Sequence, residues 1–151
     1  MKNESNIVIN RPIKDVFRLT NEHVAEWSII VVEDEVIEET PDGVGTTFRC
    51  VTEENGQRME FQGVVTKYDP PFMNATVLTG KMFDLDIEYT FEEVPEGTRV
   101  IQVSKVTGKG LAKIMFFFMA LYANIRGCKS KNDEFESLKL FCESQPEPDT
   151  E

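Results

Sequence analysis

One histidine, one tryptophan and three cysteines stand in a chain of 151 residues. The lone His23 argues against the His-rich ligand sets of zinc sites and against Ser-His-Asp or Cys-His relays, so neither a metal nor a catalytic triad is expected. Cys50, Cys128 and Cys142 are odd in number and widely spaced, and form neither a disulfide framework nor a CxxC motif. Long apolar runs are missing as well. The longest, Ile114–Ala123, has ten residues, whereas a membrane-spanning helix takes about 20. Met1–Pro12 lacks the apolar stretch of a secretory signal, which implies a cytoplasmic protein. Positive charge is scarce. Sixteen Lys and Arg face 27 Asp and Glu, a net charge of −11, and this argues against general nucleic-acid binding.

What is present is a globular composition, 40% hydrophobic and 28% charged. At this length it supports one domain with a real core. That domain is expected over residues 1–144, followed by an acidic, disordered tail at 145–151. Ile7–Ile9 reads as a strand. Pro12 is placed in the first turn of a short helix ending near Asn21, capped by Asn10 or Arg11, and a second short helix runs from Glu22 to about Trp27. Strands are expected at Val31–Glu39, Thr46–Thr52, Arg58–Asp69, Asn74–Thr79, Phe83–Phe91 and Thr98–Val106. Gly43-Val44-Gly45-Thr46 lacks the GK[ST] of a phosphate loop and joins two strands, so it reads as a tight turn.

Asn55-Gly56 is the preferred pair for a two-residue hairpin turn. It sets Thr52 against Met59, Cys50 against Phe61 and Phe48 against Gly63. Opposed residues share a sheet face, so Phe48, Cys50, Met59 and Phe61 fall together, away from Arg49, Glu60 and Gln62. Phe83, Leu85, Ile87, Tyr89 and Phe91 alternate with Asp84, Asp86, Glu88, Thr90 and Glu92, a half-buried strand whose acids point outward. In the last strand two sets compete for the inner face: Val100, Gln102 and Ser104, or Ile101 and Val103. A long helix is expected over Leu111–Glu143, bent at Gly127, with Leu111, Met115, Phe118, Tyr122, Ile125, Cys128 or Lys129, Phe135, Leu138 and Cys142 on its apolar stripe.

This order gives an α+β chain in which a curved antiparallel sheet of six to seven strands wraps around one long C-terminal helix, with two short helices after the first strand. Ile9-Asn10-Arg11-Pro12-Ile13-Lys14-Asp15-Val16-Phe17, Trp27, Gly43-Val44-Gly45-Thr46, Val65-Thr66-Lys67-Tyr68-Asp69-Pro70-Pro71, Gly97-Thr98-Arg99-Val100 and Leu138-Lys139 resemble the SRPBCC (START-like, helix-grip) superfamily. The polyketide cyclase/dehydrase-like branch is nearest, and the resemblance covers about residues 4–143. It implies the helix-grip fold and an internal cavity. It leaves activity open, because members include lipid carriers, hormone receptors, aromatase/cyclases and chaperone cofactors.

On that fold the expected ligand-binding set is Trp27, Phe48, Met59, Phe61, Phe83, Leu85, Ile87, Tyr89, Phe91, Gln102, Ser104, Met115, Phe118 and Tyr122. For the apolar members the alternative is an ordinary filled core, and for Trp27 a plain core role. His23 reads as a solvated helical residue. No catalytic residue and no cofactor is assigned. From Lys105 to Asn132 the chain holds six basic residues and no acid. These flank Met115–Met119, so a greasy gate in weak contact with an anionic membrane surface is one reading, and a packed helix the other. The leading function is binding or transport of a hydrophobic or amphipathic small molecule, lipid- or polyketide-like. The alternative is a cyclase/dehydratase-type enzyme. An Arg or Glu in the lumen would favour the enzyme, and an exposed apolar gate the carrier.

Overall fold

The computed structural model describes residues 2–54, 57–81, 83–108 and 130–145. Among these, seven strands form one antiparallel sheet. They are β1 (Lys2–Ile9), β2 (Val31–Glu38), β3 (Thr47–Glu54), β4 (Gln57–Asp69), β5 (Met73–Thr79), β6 (Phe83–Val94) and β7 (Gly97–Gly108). Their order in the sheet is β1-β7-β6-β5-β4-β3-β2. Helices α1 (Ile13–Glu22) and α2 (Val24–Trp27) follow β1, and α3 (Ser130–Ser144) follows the strands. This is the helix-grip arrangement. Leu111–Lys129 and the tail beyond Gln145 lie outside the described residues.

Several boundaries differ from expectation for local reasons. β1 begins at Lys2 because it pairs along its whole length with β7, from Lys2 opposite Lys105 to Ile9 opposite Thr98. Its polar half carries no apolar run to announce it. Pro12 is the N-cap of α1 and not a first-turn residue, and its carbonyl accepts from the N–H of Asp15 and of Val16, each at 3.1 Å. His23, at φ −123° and ψ 32°, separates α1 from α2 and shortens the second helix to Val24–Trp27.

The β3–β4 pairing carries the expected register: Thr52 opposite Met59, Cys50 opposite Phe61, Phe48 opposite Gly63. At the β6–β7 hairpin Val94 faces Gly97, leaving Pro95-Glu96 as a two-residue turn. This settles the inner face of β7. Val100, Gln102 and Ser104 lie opposite Phe91, Tyr89 and Ile87, and so share their face. The turn before β3 needs its glycines. Gly43 and Gly45 have φ of +89° and +91°, and a Cβ on Gly43 would stand 2.4 Å from the Tyr68 ring.

Two apolar clusters result. In the first, Ile13, Val16, Phe17 and Leu19 of α1, Trp27 of α2 and Phe135, Leu138 and Cys142 of α3 close over Ile9, Phe91 and Val100. The end of α3 is clasped there. The Asn10 N–H donates to the Glu143 carboxylate at 2.9 Å, and the Arg11 guanidinium donates to the carbonyls of Glu143 and Gln145. Carbonyls that a helix end leaves open are thereby satisfied. The second cluster is Cys50, Phe61 and Leu78, flanked by Val31, Phe48, Met59, Phe83, Leu85 and Ile87. No helix among the described residues is long and apolar enough to cross a membrane.

Phe61 is 2% exposed, and its neighbour Gln62 points to solvent. Phe61→Ala should therefore cost about 3–5 kcal/mol, whereas Gln62→Ala should leave stability nearly unchanged. Urea denaturation of the two variants checks the parity of the whole hairpin.

Candidate functional site

Pairing partners share a face, so the concave surface can be read across the sheet. Phe48 and Cys50 on β3 meet Phe61 and Met59 on β4. Leu78, Thr76 and Asn74 on β5 meet Leu85, Ile87 and Tyr89 on β6, and these meet Val106, Ser104 and Gln102 on β7. Gly63 leaves room for an aromatic ring, since a Cβ there would lie 2.3 Å from the Phe48 ring. Phe48, Met59, Phe83, Leu85, Ile87 and Tyr89 are only half-buried although they face inward.

Polar groups gather where the two apolar clusters meet. Gln102 Nε2 donates to Tyr89 Oη at 2.8 Å. Tyr89 then keeps its own proton to donate. Burial raises the Tyr89 pKa, and the negative charge of Glu134 adds to the effect. Burial also pushes the Cys50 thiol up to about 12, with Asp34 and Glu134 contributing. Cys50 therefore stays a protonated thiol near neutral pH and is a poor nucleophile. Asp34 is opposite Cys50, so it stands on the concave face at the β2 rim. One flank of Asp34 is open to solvent, yet desolvation raises its carboxyl pKa to about 6. Glu134 reaches inward from α3 and accepts a hydrogen bond from Ser28 Oγ. Ser28 Oγ in turn accepts from the N–H groups of Ile30 and Val31, at 3.2 and 3.0 Å. Asn74, opposite Tyr89, is 6% exposed, and its Oδ1 is buried with no hydrogen-bond partner.

Of the sequence-predicted set, Phe48, Met59, Phe61, Phe83, Leu85, Ile87, Tyr89, Gln102 and Ser104 come together on this face. Trp27 and Phe91 belong to the closed cluster instead, each 2% exposed. The Trp27 indole N–H donates to the Thr20 carbonyl at 3.1 Å. Met115, Phe118 and Tyr122 lie outside the described residues, as do Lys109, Lys113 and Lys129. His23 is partly exposed beside Glu26 and packs its ring against Phe141, with centroids 6.0 Å apart. A groove of about 290 Å³ on the outer face, where Lys67 pairs with Glu88, lies across the sheet from the polar groups. Among the described residues no cluster of three or more His, Cys, Asp or Glu is arranged to hold a metal ion.

The sequence predicts no carboxylate inside, because the acids of β6 alternate outward. Asp34 and Glu134 are the residues it missed. Asp34 sits in a strand with acids on both faces and register shifts at both ends, so alternation gives no usable signal. Glu134 precedes Phe135 on the helix stripe, and its neighbours in the sequence do not tell which flank of the stripe it takes.

The raised pKa of Asp34 fixes a pH dependence. Between about pH 4 and about 6 the folded chain holds a proton that the unfolded chain has released, so this group makes stability fall as pH rises. Asp34→Asn should match wild type below about pH 4 and melt higher near neutral pH. Thermal denaturation across that range, wild type against variant, reads the difference.

A search of characterised protein sequences finds no significant match. Solved structures do match. TTHA0849 from Thermus thermophilus has a TM-score of 0.75 at 16% identity, covering 95% of this chain and 98% of that one. The Zhui aromatase/cyclase from Streptomyces sp. R1128 has a TM-score of 0.74 at 12% identity, covering 95% and 93%. Ara h 8.0201 has a TM-score of 0.67 at 13% identity, covering 96% and 99%. At such identities the likeness is one of fold. A family model, described as activator of Hsp90 ATPase homolog 1-like protein, matches residues 10–120. The match takes in most of the chain and agrees with the fold, so the chain belongs to that family, within the SRPBCC superfamily.

Proposed function

We propose that this protein binds, and carries, an apolar or amphipathic small molecule against its concave face. One observation carries the reading: six large side chains, Phe48, Met59, Phe83, Leu85, Ile87 and Tyr89, face inward yet stay half-buried. A filled core would bury such residues, and each is worth roughly 1.5–3 kcal/mol when taken fully out of water. A ligand lying on them would gain a share of that energy. Met59 has an unbranched side chain that can repack around differing shapes. The solved neighbours of this fold include a protein named as an aromatase/cyclase.

A second reading is favoured by the two carboxylates. Glu134 and Asp34 border the same face as Tyr89, and Asp34, with its pKa raised to about 6, is suited to exchange protons near neutral pH. That is acid/base equipment for a cyclase/dehydratase acting on a polyketide-like substrate. Incubation with a poly-β-keto thioester, followed by mass spectrometry for the loss of water, decides whether the face is catalytic. No loss of water that Asp34→Asn also removes would leave the carrier.

The carrier reading is checked with the neutral dye Nile red. Its emission should rise saturably on mixing with the protein, with a dissociation constant in the micromolar range. Phe83→Asp, which places a charge among the half-buried side chains, should weaken uptake by at least about tenfold. Absence of saturable uptake, for Nile red and for a panel of alcohols and polycyclic aromatics alike, would overturn the reading. Trp27 is a poor reporter here, because it lies in the closed cluster.

A further inference from the structure

We propose that the free edge of β2 is a docking site for an extended segment of a partner protein, one that alternates basic with apolar residues and adds a strand to the sheet. β2 lies at one end of the strand order, and among the described residues no strand pairs with its far side. The backbone N–H and C=O groups of such an edge are a template for a further strand. The other edge strand, β1, packs against α3, whereas every residue of β2 from Val32 to Glu38 is exposed. Apolar side chains collect at this edge. Eight large ones are exposed among the described residues, and four of them, Ile29, Val32, Val36 and Ile37, lie between positions 29 and 37. Val36 is 60% exposed and Ile37 58%. Exposed apolar residues that cluster mark an interaction surface, which scattered ones do not.

Charge chooses the occupant. From Leu19 to Phe48 the chain holds eight acids and no lysine or arginine. On β2, Glu33 and Glu35 stand opposite Val51 and Arg49, and Glu38 opposite Thr47, so all three share the outer face. Glu33 is met by Arg49 and Arg58. Glu35 and Glu38 form no ion pair among the described residues. A second copy of β2 would set these acids against acids, and like charges opposed across strands are unfavourable. A basic strand meets no such repulsion. The register shifts after Val31 and Val36 confine regular pairing to the run Glu33–Val36, so the added strand is short. Val36, opposite Phe48, takes the inner face together with Asp34. A strand laid along β2 therefore meets carboxylates at its outer positions and Val36 at its inner ones, and alternate side chains of that strand must suit the two. Lys or Arg outward, with β-branched apolar residues inward, satisfies both.

Fluorescence anisotropy with a labelled short peptide of alternating Lys and Val tests this. The peptide should bind at least about tenfold more tightly than one of the same composition with its lysines in a single block, since only alternation matches both faces. Methylating its backbone nitrogens should abolish binding, because strand addition runs through main-chain hydrogen bonds. Glu35→Lys combined with Glu38→Lys should weaken the Lys–Val peptide at least about tenfold and admit the Glu–Val counterpart, which the unmodified chain rejects. Circular dichroism verifies the fold. Glu35 lies opposite Arg49; should the double variant not fold, Glu38→Lys alone, opposite Thr47, should still weaken the peptide several-fold. Equal binding of the blocked or the methylated peptide would overturn the inference and leave only attraction to an acidic surface. So would affinity that survives the charge reversals, or no binding of the alternating peptide at low salt. A dimer in analytical ultracentrifugation whose β2 amides are protected from hydrogen exchange would also overturn it, since a second copy would then hold the edge.

Discussion

Strand parity is the constraint on which the site depends. In an antiparallel sheet a slip of one residue turns every side chain of a strand to the other face. Here two hairpins fix it: the pairing of Glu54 with Gln57 between β3 and β4, and of Val94 with Gly97 between β6 and β7. Each leaves a two-residue connection. The strands between keep this phase except at the register shift between Val65 and Lys67, which turns Lys67 outward, so Phe61, Leu78, Leu85, Tyr89 and Gln102 face one way while Glu60, Lys67, Glu88 and Arg99 face the other. The outer face then suits charge, and Arg49, Arg58, Glu33, Glu53 and Glu60 interleave there. Such exposed pairs add little stability. Their effect is to keep that face in water, which leaves the concave side as the place where apolar area accumulates.

The two ends of that concave side are treated differently. At one end Phe135, Leu138 and Cys142 of α3 meet α1, α2, β1 and β7 in a cluster of well-buried side chains. Arg11, with its guanidinium on the end of α3 and its carbonyl accepting from Thr98 Oγ1 at 2.8 Å, ties helix, entry loop and sheet together. At the other end, among the described residues, Cys50, Phe61 and Leu78 are buried, while Val31, Phe48, Met59, Phe83, Leu85 and Ile87 around them are half-buried. A single helix cannot seal a strongly curved sheet along its whole width. Closure at the α1 end therefore goes with looseness at the β3–β4 end.

Much of this is legible in the sequence. The Asn55-Gly56 register and the alternation in Phe83–Phe91 named most of the inward-facing side chains, because each rests on a period-two pattern or a turn of fixed length. The stripe of Phe135, Leu138 and Cys142 was equally legible from helical spacing. β7 was not. Its two faces carry Val100, Gln102 and Ser104 against Ile101 and Val103, β-branched residues on both, so only the length of the Pro95-Glu96 turn could decide. For Trp27 the sequence leaves core and lining both open, and the indole bond to Thr20 places it in the core. Asp34 was hidden by Glu33 and Glu35 on either side of it.

The position of those two carboxylates bears on how such a face works at all. An apolar surface binds by area alone and discriminates poorly, because burial is non-directional. Orientation needs polar groups, and these cost desolvation when the ligand excludes water from around them. Asp34 at the rim keeps a hydrated flank, and Glu134 accepts a hydrogen bond from Ser28 Oγ. The cost of holding charge beside an apolar surface is thus moderated before binding. Tyr89 and Gln102 are bonded to each other, so they hold their geometry whether or not a ligand is present. The adaptable part of the face is then the apolar set around Met59, and the fixed part is polar, a division that separates where a ligand's body lies from which way it points.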